Sequence, residues 1–175
     1  MPDAGSEPLA VVVMGVSGAG KTTVGRRLAQ ALGVDFVEGD DLHSPEARAK
    51  MAAGHPLTDD DRRPWLDRIG ARLADELARG RGVVVACSAL RGAYRDRLRA
   101  AAGARLRFVH IAADPEAMRA RLAARKGHFM PASLVDSQFA TLEDPSGEPD
   151  VLTVPADGDL AEEIPALVAA LGRVP

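Results

Sequence analysis

The residues best suited to chemistry stand near the start of the chain, in the stretch Gly15-Val16-Ser17-Gly18-Ala19-Gly20-Lys21-Thr22. Glycines at this spacing let successive backbone N–H groups turn inward around phosphate oxygens at the positive end of a following helix. Lys21 can bridge the β- and γ-phosphates of a nucleotide, and the Thr22 hydroxyl can ligate Mg²⁺. The stretch is a phosphate-binding loop (P-loop), and it predicts nucleotide binding.

A second polar group, Glu38-Gly39-Asp40-Asp41-Leu42-His43, follows the predicted second strand, where α/β proteins bind ligands. We expect this strand to run beside the strand that precedes the P-loop. A carboxylate here can accept a proton from a substrate hydroxyl that attacks the γ-phosphate, or orient the water shell of Mg²⁺. We favour Asp40, which is nearer the strand end. The alternative is that Asp40 and Asp41 cap the turn before the next helix.

Basic residues further along the chain are candidates to bind anionic groups. His43 can hydrogen-bond a polyol or a carboxylate, and three others can converge on a substrate anion: Lys50, Arg91 and Arg95. The alternative for these three is a solvated helix face. A further basic group beside Gly127 is typical of a mobile lid that neutralises phosphate charge when it closes, as an arginine finger does. Its members are Arg125, Lys126 and His128, and Arg121 just before them is a further candidate.

The elements that must position these residues alternate along the chain. Apolar runs predict strands at residues 9–14, 34–37, 83–87, 106–111 and 151–154. Helical patterns fill the intervals, and the first helix begins at the P-loop. This alternation predicts an α/β P-loop fold, with a five-stranded parallel sheet covered by helices. The whole chain, 1–175, fits one domain, in which residues 45–80 form a helical substrate-binding flap and residues 125–140 a lid.

Local signals define where several helices begin and end. Gly33 follows the first helix and suits a left-handed cap. Ser44 and Pro45 are typical of an N-cap and a first helical residue, Thr58 of the start of a long helix, and Asp114 of another N-cap.

Composition limits the classes of partner. The formal net charge of -3 gives no general attraction to nucleic acid or membranes, and no apolar run is long enough to span a bilayer. Cys87 is the only cysteine, so an internal disulfide is impossible, and we expect it to be buried and structural. The sequence has no asparagine, which excludes guanine recognition of the Asn-Lys-x-Asp type. We expect a soluble, cytoplasmic protein that binds small anionic ligands.

Longer motifs make the comparison with known families specific. Besides the P-loop they are Gly39-Asp40-Asp41-Leu42-His43, Pro56-Leu57-Thr58-Asp59-Asp60-Asp61-Arg62, Pro64-Trp65-Leu66, Ala86-Cys87-Ser88-Ala89-Leu90 and Arg125-Lys126-Gly127-His128-Phe129-Met130. Together they resemble the bacterial-type gluconokinases, a family of P-loop small-molecule kinases, from about residue 10 to residue 142.

The resemblance implies a three-layer fold like that of nucleoside monophosphate kinases, phosphorylation of D-gluconate by ATP with Mg²⁺, entry of the product into pentose phosphate metabolism, and a homodimer. It implies that residues 15–23, from Gly15 to Thr23, hold ATP, with Thr22 and Asp40 near the metal. Lys21, Asp40 and Arg125 are the implied catalytic residues, with Asp40 as the base. The implied gluconate-binding residues are Asp40, His43, Lys50, Arg91, Arg95, Lys126 and His128.

Two other functions are compatible with the same motifs. One is a kinase of another small hydroxy acid such as shikimate, in the same fold. The other is a nucleotide-binding module without turnover. A candidate base and a lid argue against the second.

Overall fold

A five-stranded parallel sheet forms the centre of the molecule in a computed structural model, which describes residues 7–124 and 132–172. The strands are β1 (Ala10–Met14), β2 (Asp35–Glu38), β3 (Val83–Ala86), β4 (Leu106–Ala112) and β5 (Val151–Pro155). Their order across the sheet is β2-β3-β1-β4-β5, and each neighbouring pair is parallel. The predicted parallel α/β sheet is therefore confirmed.

The expected position of the second strand was wrong. β3 lies between β1 and β2, and β1 pairs with β3 and β4. Because parallel strands are joined by crossovers, a strand can be inserted between two that come earlier in the chain. The polar residues that follow β2 are thus one strand further from the P-loop strand than we expected.

Helices cover both faces of the sheet and complete three layers. They are α1 (Lys21–Leu32), α2 (Pro45–Ala52), α3 (Asp59–Ala78), α4 (Gly92–Ala102), α5 (Pro115–Ala124), α6 (Ala132–Thr141) and α7 (Leu160–Leu171). One apolar core lies between the sheet and α3 with α4, and the other between the sheet and α1 with α7. None of the helices in the described ranges has the length and apolarity to cross a membrane.

The predicted helix ends agree with the structure. Gly33 ends α1 with a φ angle of 69°. The Ser44 side chain accepts a hydrogen bond from the backbone N–H of Ala47 at the start of α2. Thr58 and Asp61 form a reciprocal capping box at the start of α3.

Helix α3 contributes much of the apolar core that lies between the sheet and the pair α3 and α4. Its stripe Leu66, Ile69, Leu73 and Leu77 is buried against the sheet side that α4 also covers. The segment expected to be a flap therefore includes a sheet-covering helix, since its apolar residues recur at the spacing of one helix face. The substrate-binding role of α2 and the start of α3 stays a prediction.

The turn after β2 depends on a glycine. Residues Gly39–Leu42 form a short 3-10 helix, and Gly39 lies against the end of β3. A Cβ atom on Gly39 would stand 2.1 Å from the carbonyl oxygen of Ala86. Gly39 thus lets the turn that carries Asp40 pack directly on the neighbouring strand.

We expect Gly39→Ala to lower the free energy of unfolding by at least about 1–3 kcal/mol, because backbone must move to admit the methyl group. Chemical denaturation of the purified variant measures the change. Gly147→Ala is the matched control, since a Cβ there would meet nothing within 4 Å, and we expect it to stay within about 0.5 kcal/mol of the parent. Equal stability of the two variants would contradict the close approach at Gly39.

Candidate functional site

The P-loop joins β1 to α1 and has the backbone geometry of an anion cradle. Gly18 and Gly20 have positive φ angles of 83° and 104°, which residues with a side chain rarely adopt. Gly20 is also the N-cap of α1, so the positive end of the helix faces the loop. This geometry supports the prediction that residues 15–23 hold a nucleotide.

Lys21 folds back over the loop. Its Nζ donates hydrogen bonds to the carbonyl oxygens of Gly15 at 2.9 Å and Val16 at 3.1 Å. Burial lowers the pKa of Lys21 from its ordinary value, and the negative charge of Asp40 acts in the opposite direction. The ammonium group therefore stands at the loop, where phosphate oxygens can replace the two carbonyls.

Glu38 reaches the P-loop helix, which sequence reasoning missed. The Thr22 hydroxyl donates a hydrogen bond to Glu38 Oε2 at 2.5 Å. Glu38 is the last residue of β2, so its position at a strand end next to Asp40 was the available signal. The contact puts a carboxylate beside the hydroxyl that we expect to ligate Mg²⁺.

The oxygen groups at this site suit Mg²⁺, which needs few protein ligands, better than a metal ion that is held by protein side chains alone. No cluster of three or more His, Cys, Asp or Glu side chains suitable for a metal ion occurs among the described residues. Mg²⁺ prefers oxygen ligands and is usually held by one or two protein groups, substrate phosphates and water. Thr22 with Glu38 close by fits that pattern, and Asp40 remains a predicted participant.

Asp40 lies in the 3-10 turn with its carboxylate open to solvent. Its side chain is 70% exposed, and one of its oxygens is 3.9 Å from His43 Nε2. Its charge acts on both Lys21 and His43. The carboxylate of Asp40 is thus accessible to a substrate.

His43 is buried and stacks on an aromatic ring. Its imidazole lies 4.1 Å from the Trp65 ring, centroid to centroid, at an interplanar angle of 17°. The His43 Nδ1 atom is buried without a hydrogen-bond partner. Burial lowers the pKa of His43 below its usual 6.5. The imidazole is therefore neutral near pH 7, and its buried nitrogen is a polar atom that a ligand or water can satisfy.

Helix α3 holds the turn that carries Asp40. Trp65 Nε1 donates a hydrogen bond to the carbonyl oxygen of Gly39 at 2.8 Å, and Arg68 donates one to Leu42 at 2.8 Å. Trp65 is almost fully buried. Trp65 is thus a packing residue that also positions the backbone next to Asp40.

Lys50 and Arg91 each make an ion pair with an aspartate of α3. Lys50 Nζ is 2.6 Å from Asp61 Oδ2, and this pairing with other hydrogen bonds lowers the pKa of Asp61 to about 2. Arg91 lies 3.3 Å from Asp59, with its side chain 43% exposed. Both cations are accessible and stand at the start of α3, so a substrate anion can compete for them.

Asp59 is the centre of a small polar cluster that sequence reasoning did not single out. The Tyr94 hydroxyl donates a hydrogen bond to Asp59, and Arg62 donates one to the Tyr94 oxygen at 3.0 Å. The Tyr94 hydrogen bond is the main cause of the lowered pKa of Asp59. The cluster joins the beginnings of α3 and α4.

Arg95 is away from the expected substrate surface. Its side chain is 2% exposed and forms an ion pair with Glu148 at 2.8 Å. It also donates hydrogen bonds to the carbonyl oxygens of Ala89, Leu90 and Glu143. In this conformation the guanidinium group holds the loop after β3 and has no free surface for a substrate.

The remaining predicted residues divide into two sets. Arg125, Lys126 and His128 lie outside the described residues, as does the first part, 125–131, of the lid predicted at residues 125–140. Its second part is α6, which packs on the core through Val135 and Phe139, and its role as a lid stays a prediction. Cys87 is buried as expected, and burial raises the pKa of its thiol to about 12. The thiol is therefore protonated, which argues against a nucleophilic role.

Two side chains, one on α5 and one on α6, make hydrogen bonds to the P-loop. Arg121 donates a hydrogen bond to the Gly18 carbonyl oxygen at 3.3 Å. Gln138 makes two hydrogen bonds with Ser17. Arg121 was already a candidate from the sequence, whereas sequence reasoning missed Gln138, which is uncharged and belongs to no recognised motif.

Comparison with known proteins gives consistent results. A family model described as an AAA domain matches residues 11–145. The chain is 49% identical over 150 residues to the gluconokinase of Gluconobacter oxydans, which covers 86% of this chain and 84% of that protein. It is 43% identical to a probable gluconokinase of Mus musculus, over 94% of this chain and 98% of that protein.

A solved structure agrees with the sequence relatives. The crystal structure of a gluconokinase from Sinorhizobium meliloti superimposes with a TM-score of 0.86 at 49% identity, covering 95% of this chain and 93% of that chain. An APS kinase from Mycobacterium tuberculosis, at 20% identity and a TM-score of 0.68, shares the fold.

The stacked pair allows a direct test of the His43 environment, because Trp65 is the only tryptophan. We expect Trp65 fluorescence to fall as His43 becomes charged, with a midpoint below pH 6.5, since burial lowers the pKa of His43. The unfolded chain takes up this proton near pH 6.5, so the free energy of unfolding should fall as pH drops from 6.5 towards the folded-state pKa.

His43→Phe is the control for that titration, because it keeps a stacked ring and removes the ionisable group. Asp40, Arg48, Arg62 and Arg68 also act on His43, and they remain in the variant. Persistence of the transition in His43→Phe, or a midpoint at or above pH 6.5 in the parent, would show that His43 is not the buried neutral group described here.

Proposed function

The chain belongs to the gluconokinase family, and from this premise we propose that it transfers the γ-phosphoryl group of ATP to the terminal hydroxyl of D-gluconate. The products are ADP and 6-phospho-D-gluconate. The observation that carries the proposal is the P-loop geometry, with Lys21 held at the loop and the solvent-open carboxylate of Asp40 on the turn after β2. It supports a site in which a phosphate-binding cation and a proton acceptor serve the same reacting centre.

In the proposed reaction Asp40 is the general base. Its carboxylate accepts the proton of the gluconate hydroxyl while that oxygen forms a bond to the γ-phosphorus. The bond from the γ-phosphorus to the oxygen that bridges it to the β-phosphorus breaks, and ADP leaves with those electrons. Glu38 is a weaker candidate for the base because it already accepts a hydrogen bond from Thr22.

The P-loop side of the proposed site balances negative charge. Lys21 exchanges its hydrogen bonds to Gly15 and Val16 for the β- and γ-phosphates. The Thr22 hydroxyl and the Glu38 carboxylate, with Asp40, are the groups proposed to hold Mg²⁺ and its water shell. When bound, Mg²⁺ neutralises charge on the phosphate oxygens.

For the gluconate carboxylate we propose Arg91 and Lys50, which are exposed enough to exchange Asp59 and Asp61 for a substrate anion. The His43 side chain is 3% exposed, so its proposed contact with a polyol hydroxyl of gluconate requires the turn that carries Asp40 to move when the substrate binds. Arg95 is proposed to act indirectly, because its hydrogen bonds to Ala89 and Leu90 hold the loop that leads to Arg91.

Other parts of the proposal rest on the family and on the sequence. Arg125, Lys126 and His128 are proposed to close over the transferred phosphate and to exclude water. A homodimer and a cytoplasmic location are also proposed from the family resemblance. The buried, unpaired Cys87 is compatible with a reducing compartment.

The substrate is tested with Mg-ATP in a coupled assay of ADP release. We expect turnover that depends on D-gluconate and exceeds turnover with shikimate, other sugar acids or no acceptor, because the site has cations for a carboxylate and a base for a hydroxyl. Lys21→Ala is the negative control and should abolish transfer. Faster turnover with another acid would show that this acid, and not gluconate, is the substrate. ATP binding without acceptor-dependent turnover would refute the kinase proposal.

The role of Asp40 is tested by Asp40→Asn with Asp41→Asn as the matched control. We expect Asp40→Asn to lower kcat by about 10²–10⁴-fold with little change in the KM for ATP, because the proton acceptor is lost. Asp41 is exposed and pairs with Arg48, so its variant should keep nearly full kcat. A collapse of ATP affinity in Asp40→Asn would instead indicate that Asp40 acts mainly through the metal.

A further inference from the structure

The side chain of Gln138 is attached to the P-loop at both ends of its amide. Gln138 Oε1 accepts a hydrogen bond from the backbone N–H of Ser17 at 2.5 Å, and Gln138 Nε2 donates one to Ser17 Oγ at 2.8 Å. Because the backbone N–H can only donate, the oxygen of the amide must face it, and this fixes the orientation of the group. A residue on α6 thus holds one residue of a loop that lies 121 positions earlier.

The helix that carries Gln138 is itself firmly attached. Val135 is 1% exposed, and Phe139 packs against the core that α1 and α7 share with the sheet. Just after α6, the backbone N–H of Glu143 donates a hydrogen bond to Leu90 at 2.8 Å. These contacts on either side of Gln138 fix the helix and set the direction in which the Gln138 side chain projects. The packing of α6 therefore directs that side chain towards Ser17.

The type of side chain matters at this position. Glutamine supplies one acceptor and one donor with no charge. A glutamate has the same shape and can still accept hydrogen bonds from the N–H and hydroxyl of Ser17, but it adds a negative charge beside a loop whose N–H groups and lysine attract phosphate. A neutral amide can hold this loop without repelling a nucleotide.

We propose that Gln138 is a positioning residue of the nucleotide site, which holds Ser17 so that the P-loop keeps the shape in which it receives phosphate. The proposal rests on the proposed use of ATP and is independent of gluconate as the acceptor. Gln138 acts through Ser17, which belongs to the loop that receives phosphate. Its effect on binding affinity should therefore grow with the number of phosphates on the ligand.

The test measures binding of ADP and of a non-hydrolysable ATP analogue, both with Mg²⁺, by isothermal titration calorimetry. The proteins are the parent chain, Gln138→Glu, Gln138→Leu and Gln30→Glu. Gln30 is the matched control, because it is the only other glutamine and is exposed on α1. Thermal unfolding of each variant separates local effects from loss of fold.

We expect Gln138→Glu to weaken binding of the ATP analogue by roughly tenfold at low ionic strength and binding of ADP by less. Both factors should be smaller in high salt. Gln138→Leu should weaken the ATP analogue by about three- to tenfold without a dependence on salt, because both hydrogen bonds to Ser17 are lost. Gln30→Glu should bind as the parent does.

Parent-like affinities in both Gln138 variants would overturn the proposal. Tighter binding by Gln138→Leu would also overturn it, since Gln138 would then compete with phosphate for the Ser17 N–H. Failure of the parent to bind either nucleotide would refute this proposal together with the proposed use of ATP. Nucleotide binding without gluconate-dependent turnover would refute only the proposed substrate.

Discussion

The structure depends on the complete burial of β1. All five of its residues are 0% exposed, with alternate side chains in the two apolar cores. A strand that is apolar on both faces is stable only inside a sheet that helices cover on both sides. β1 therefore takes the middle position, and the P-loop emerges at the centre of the carboxyl edge with polar groups on either side.

Much of this fold could be predicted because its signals are local. Continuous apolar runs identified the strands, and the periodic stripe on α3 and the caps at Ser44 and Thr58 identified helices whose ends the structure confirms. The order of strands could not be read in the same way. Whether β2 or β3 lies next to β1 depends on how a crossover of two helices packs on the sheet, and no short stretch of residues encodes that choice.

The residues of the candidate site also fall into two groups, those that local sequence predicts and those that only the fold identifies. Gly18, Gly20 and Lys21 were predictable, because one short segment contains all the parts of the cradle. Charged residues outside that segment were ambiguous, since an arginine on a helix serves equally well as a ligand or as an internal tie. Burial decides between these roles for Arg95, which binds carbonyl oxygens of its own chain. Glu38 belonged to the predicted polar group, but its hydrogen bond to Thr22 required the fold, and Gln138 became visible only through a contact across 121 positions.

The environment of Cys87 has a practical consequence for studying this molecule. The thiol is buried at the end of β3, and its high pKa keeps it in the unreactive protonated form at ordinary pH. Maleimide and disulfide reagents need an accessible thiolate, so they should pass over the native cysteine while the chain is folded. One cysteine introduced on α2 and another on α6 can then carry a pair of labels, and the distance between them can be followed without first removing Cys87.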